Sequence, residues 1–177
     1  MLSNPTPHIS DPAHACIQDD RLRMLFETWQ TVRKDRQIPD RRDFDPLDMV
    51  PILPMLWICD YEQTADVFRF RLAGERIREA HGQPIIGLPI TDLVEDDAHK
   101  QTLHSILKRV IDGPLILFTD GYLYHCQKRY VRGSRLIFPI TSDGGMGLIG
   151  VTAMHEGPAE FDMELMKAPI LKELPLP

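Results

Sequence analysis

The sequence predicts an α+β domain, a five-stranded antiparallel sheet with helices on one face, preceded by an amphipathic N-terminal helix. Three observations carry this. Two strand-like runs come first, a helical middle ending in one long amphipathic helix follows, and three more strand-like runs complete the pattern. Strands separated by one block of helices, rather than alternating with them, favour an antiparallel sheet over a parallel α/β plan. At 177 residues, 43% hydrophobic and 26% charged, the chain has the balance of a soluble globular domain. It is long enough to bury a core without a metal or disulfide staple.

Residues 1–18 carry Pro5, Pro7 and Pro12 among small polar residues and are expected to be a flexible arm. His8, His14 and Cys16 lie in it without a fourth ligand at metal-binding spacing. Residues 19–50 form a leading helix and its connector. Leu22, Leu25, Phe26, Trp29 and Val32 fall on one arc, with Asp19 or Asp20 as the cap. Such a stripe must cover either its own domain or the same helix of a second copy, and a homodimer built partly from it is expected. Asp45 can cap a short turn with Pro46 in its first position, and Pro51 and Pro54 are expected to stop it.

The core is expected over residues 51–156. Residues 55–61 suit a strand, and 67–72 suit one better because Phe68, Phe70 and Leu72 alternate with Arg69 and Arg71. Residues 74–80 suit a short helix with Ile77 inward and Gly82 at its end. Residues 95–112 form the longest helical pattern, with Leu103, Ile106, Leu107, Val110 and Ile111 on one arc. Its acidic start and basic end match the helix dipole. Gly113-Pro114 ends it. Strands are then expected at 115–127, 130–141 and 146–155, the last two joined by the hairpin turn Ser142-Asp143-Gly144-Gly145. Residues 157–177 remain as a tail, either a second docking element over 161–176 or a segment folded back on its own domain.

The net charge of −6 argues against a nucleic-acid protein, for which a basic stripe is the footprint. The basic clusters at 33–42 and 128–135 read as solvated mixed-charge faces. Cys16, Cys59 and Cys126 are too few and too scattered for a disulfide framework or a zinc site, so free thiols in a reducing compartment are expected. The start lacks a basic stretch followed by an apolar run, and no segment is long and apolar enough to span a membrane, so a cytoplasmic location is expected. There is no Gly-x-Ser-x-Gly elbow, no Walker-type glycine loop and no His-Glu-x-x-His helix. The acidic cluster Glu95, Asp96 and Asp97 reads as a helix start.

Several strings acquire meaning together. They are Trp29 with Arg33, Pro39-Asp40-Arg41-Arg42-Asp43-Phe44-Asp45-Pro46, Leu53-Pro54, Phe68-Arg69-Phe70-Arg71-Leu72-Ala73-Gly74, Gly82, Gly87, Asp92-Leu93, and Phe138-Pro139-Ile140 before Asp143-Gly144. With them the chain, from about Leu22 to about His155, resembles the PAS domain family, and more narrowly a group of stand-alone bacterial single-PAS proteins. The Leu-Pro-Leu usual in the last strands is Phe-Pro-Ile here. The resemblance implies a sensor or interaction module, often dimeric through a helix preceding the sheet, with a ligand cavity between sheet and helices. It names no ligand, because function lies in the residues lining a site.

If the strands alternate simply, Phe68, Phe70 and Leu72 on one strand and Leu136, Phe138 and Ile140 on another face Ile77, Leu103 and Leu107, as a packed core or a cavity wall. Trp57, Tyr122 and Tyr124 are candidate polar handles. No cofactor is required by the sequence. A haem would need His99, His104 or His81, and no second signature supports one. The Asn-Cys-Arg-Phe-Leu string of flavin-binding PAS domains is absent, and Cys59 and Cys126 read as small core residues. The expected function is a module that binds a partner signalling protein and a small apolar ligand without catalytic output, the residues after 156 being too few for an output domain. A ligand-free scaffold is the alternative. A small cone-fold enzyme with an Asp/Tyr site has no support from spacing.

Overall fold

The structure, a computed structural model, describes residues 17–126, 129–155 and 170–176. The arm with His8, His14 and Cys16 lies outside the described residues. Among the described residues three α-helices, α1 (Asp20–Arg33), α2 (Glu75–His81) and α3 (Asp97–Asp112), accompany six strands. These are β1 (Leu56–Glu62), β2 (Val67–Ala73), β3 (Leu115–Cys126), β4 (Arg129–Ser142), β5 (Gly145–Met154) and β6 (Ile170–Pro175). They form one sheet in the order β2-β1-β5-β4-β3-β6, every neighbouring pair antiparallel.

The expected local signals operate as predicted. Asp96 caps α3 by accepting from the His99 N–H at 2.9 Å, and Gly82 ends α2 with φ 65°. The β4–β5 hairpin turns through Asp143 (φ 48°) and Gly144 (φ 85°). Two consecutive positive φ values define the turn whose twist matches that of the paired strands, and glycine adopts the second without strain. Asp45 caps the 3-10 segment Pro46–Met55, with Pro46 in its first position. That segment runs through Pro51 and Pro54 instead of stopping there, and buries Met49, Ile52 and Met55 at the three-residue spacing of a 3-10 helix.

Two findings depart from expectation. The sheet has a sixth strand, because residues 170–175 of the tail return beside β3 and bury Leu174. Arg109 of α3 also pairs with Glu173 of β6 at 2.6 Å. The tail residues 156–169, including most of the expected docking element, lie outside the described residues.

The helices also occupy both faces of the sheet. α2 and α3 cover one, while α1 lies on the other. Leu22, Leu25, Phe26 and Trp29 are wholly buried within a single chain and Val32 is partly buried against the same cluster. The Trp29 ring stacks on Phe138 with centroids 5.1 Å apart, and its Nε1–H donates to the Pro139 carbonyl at 3.0 Å. The stripe expected to build a dimer is therefore covered by the chain's own sheet, and the apolar exposure that motivated that dimer is gone.

Candidate ligand site

Strand register decides what faces α2 and α3. Trp57 of β1 is the Cα partner of Gly150 on β5, while Thr119 (β3), Arg135 (β4) and Thr152 (β5) form one row across three strands. Residues two apart share a face, so Trp57, Cys59, Leu117, Thr119, Arg135, Ile137, Leu148, Gly150 and Thr152 all point beneath the two helices. Trp57, Cys59, Phe68, Phe70, Ile77 and Leu107 form a buried cluster there, with Leu103 packed at its margin. The Trp57 and Phe70 rings meet edge to face at 6.2 Å.

Three expected pocket residues lie elsewhere. Phe138 and Ile140, with Leu136, belong to the cluster beneath α1; in β4 it is Ile137 and Arg135 that face α2 and α3. Leu72 is 40% exposed. A bulge in the β1–β2 pairing matches Ile58 with Leu72 but Cys59 with Phe70, and the extra residue, Arg71, turns Leu72 off the face that Phe68 and Phe70 share. The Tyr124 side chain lies outside what the structure describes, as does that of Cys126.

One end of this face is polar. The Trp57 Nε1–H and the Arg135 Nε–H both donate to Thr152 Oγ1, each at 3.0 Å, and the Arg135 guanidinium lies 5.9 Å from the centre of the Trp57 ring. The ring in turn lies flat on Gly150, where a Cβ would fall 2.3 Å from Trp57 Cζ2. Thr119 Oγ1 is buried and has no hydrogen-bond partner among the described residues. His81, half-buried at the end of α2, has its pKa lowered to about 4, chiefly because burial disfavours the charged ring and next because Arg135 repels it. Its imidazole is neutral at neutral pH. Arg135, Thr152 and Thr119 were not among the expected site residues; Arg135 ends a basic run that reads as surface.

The other histidines have separate surroundings. His99 is exposed, its Nδ1 3.0 Å from Asp96. His104 Nε2 lies 2.8 Å from the Asp66 carbonyl oxygen and 3.2 Å from its Oδ1, where the Tyr61 hydroxyl also donates to Asp66 at 2.5 Å, so these groups tie α3 to the β1–β2 turn. Among the described residues no three His, Cys, Asp or Glu come together as a metal ion requires. Burial pushes the Cys59 thiol well up, so it stays protonated. The basic run at 33–42 is laced to acids: Arg36 to Asp43 at 2.6 Å, Arg42 to Asp40 at 2.9 Å and Arg41 to Asp143 at 3.4 Å. With the Thr141 N–H donating to the Pro39 carbonyl at 2.9 Å, this segment fastens the connector to the sheet.

No helix among the described residues is long and apolar enough to cross a membrane. No curated protein matches the chain. Among solved structures, the PAS domain from Bordetella pertussis BvgS is similar, with 20% identity, a TM-score of 0.47, and coverage of 70% of this chain and 93% of that one. A family model described as PAS domain matches residues 17–155. The chain belongs to the PAS domain family.

Proposed function

We propose that the chain is a sensory and interaction module whose sheet face beneath α2 and α3 takes a small molecule, and which relays that state to a partner signalling protein without catalysing a reaction itself. The observation that supports this most is the polar end formed by Arg135, Thr152, Thr119 and His81 on a face otherwise lined by Trp57, Phe68, Phe70, Ile77 and Leu107. A largely apolar surface with a few convergent polar groups is the usual composition of a small-molecule site. Any self-association uses a surface other than the stripe of α1.

Native mass spectrometry of protein purified from its own host tests the reading. A reproducible added mass that denaturation releases is the expected result, and a bare chain overturns it. The second reading, a scaffold that binds nothing small, draws on the tight burial of Trp57, Phe68, Ile77 and Leu107, each at most 1% exposed. The bare chain is that reading's outcome.

A further inference from the structure

We infer that the molecule taken by this face is a small monocarboxylate, its carboxylate held by Arg135 and Thr119 and its apolar body lying towards Trp57. The inference rests on the proposed ligand face and specifies its chemistry. Thr119 and Arg135 are Cα partners on adjacent strands, which sets their Cβ atoms about 5 Å apart on one side of the sheet. A carboxylate reaching a guanidinium from that side has the threonine hydroxyl within its span. That hydroxyl is a buried donor with no partner among the described residues, and leaving such a group unsatisfied carries a desolvation cost that a bound anion would remove.

The guanidinium is also oriented. Its Nε–H is used by Thr152 Oγ1 and its Cζ lies 5.9 Å from the centre of the Trp57 ring, two contacts that orient its fork before any ligand arrives. A pre-oriented fork suits the two oxygens of a carboxylate, which accept in parallel from it. One row further along the same face β3 and β4 carry only Gly121 and Gly133, so neither of these two strands raises a side chain beside Thr119 and Arg135, and the row is continued on β5 by Met154. In the other direction the row is Leu117, Ile137 and Gly150 with Trp57 above it, ended on β6 by Glu173, which Arg109 holds, a surface for methylenes and one that repels a second carboxylate. That asymmetry selects a molecule with one anionic end over a dicarboxylate. The half-buried, neutral His81 at the end of α2 adds a polar group at the anionic end without adding charge.

The test uses the full chain, stripped of bound mass by denaturation and refolding, in thermal-shift titrations with n-alkanoates from acetate to octanoate, the matching n-alcohols, and inorganic phosphate. The expected result is a saturable rise in Tm with at least one alkanoate, larger than with its alcohol or with phosphate. Apparent affinity should fall about tenfold or more in Arg135→Gln, the size expected for losing a charge-assisted pair. Thr119→Val, which keeps the shape and removes the hydroxyl, should cost several-fold, and it serves as the test if Arg135→Gln does not fold. Equal protection by alcohols or by phosphate, or alkanoate protection unchanged in Thr119→Val and Arg135→Gln, overturns the carboxylate assignment while the ligand face stands. Absence of any protection, together with a bare chain in native mass spectrometry, overturns both.

Discussion

The contact between Trp57 and Gly150 sets the shape of the proposed ligand face, and Gly150→Ala tests it. A methyl on residue 150 would fall 2.3, 2.5 and 2.9 Å from Cζ2, Cε2 and Cη2 of Trp57, where ordinary carbon contacts begin near 3.5 Å. The ring has little freedom to yield: it is 1% exposed, fixed at Nε1 by Thr152 and packed edge-on by Phe70. Overpacking a core by one methyl costs about 1–3 kcal/mol, and three ring atoms in contact place this site near 3 kcal/mol. For a chain of this length that is a fall in Tm of roughly 6–12 °C, measured by circular dichroism with a urea series for the free energy. Trp57→Leu removes the atoms that the methyl would strike, so Gly150→Ala should cost almost nothing in that background, a coupling of about 3 kcal/mol. The same cost in both backgrounds, or no cost in either, would refute the packing described for this face.

Thr152→Val removes the common acceptor of Trp57 and Arg135 and leaves a buried indole N–H unpaired; a loss of about 1–3 kcal/mol is expected in urea unfolding, with Thr152→Ser restoring most of it. Deleting residues 1–35 removes α1 and uncovers the Leu136, Phe138 and Ile140 face, so the truncated chain should be insoluble or aggregated by light scattering; a stable, soluble monomer would contradict the seating of α1. His81 stays neutral in the folded chain down to about pH 4 but titrates near 6.5 when unfolded. As pH falls from 6.5 to 4 the unfolded state gains a proton that the folded state refuses, so stability drops over that window, by about 1–2 kcal/mol once solvent screening of a half-exposed ring is allowed for. His81→Gln should flatten that slope, and Arg135→Gln should raise the His81 pKa seen by NMR only part of the way, because burial is the larger cause.

The parts of the fold legible from sequence are those specified by neighbours in the chain. The cap at Asp96, the end of α2 at Gly82 and the Asp143-Gly144 turn each follow from local backbone chemistry. Facing was harder. Residues 136–140 are Leu-Ile-Phe-Pro-Ile, apolar at every position because both sides of β4 are covered, and a strand without polar contrast carries no period from which to tell its faces. Simple alternation therefore points Phe138 and Ile140 to α2 and α3, whereas they lie beneath α1. Leu72 failed differently: its alternation with Phe70 is regular in sequence, and only the bulge in pairing reverses it. β6 could not be seen, since its partner segment, residues 115–120, lies about 50–60 positions away and an edge strand needs only Leu174 to be buried. The stripe of α1 was visible while its partner was not, because Phe138 and Pro139 lie more than 100 positions on.

That double covering of β4 bears on how a bound molecule could be felt elsewhere. Within two adjacent residues the strand presents Arg135 beneath α2 and α3 and Leu136 beneath α1. Four residues along, the Trp29 indole is bonded to the backbone carbonyl of Pro139, not to a side chain, so α1 is attached to the strand itself. A close-packed interior transmits displacement rather than absorbing it. On the proposed reading a shift of β4 on the Arg135 side moves the seat of α1 on the other, which makes the helix on the back of the sheet the element placed to respond to a ligand on its front.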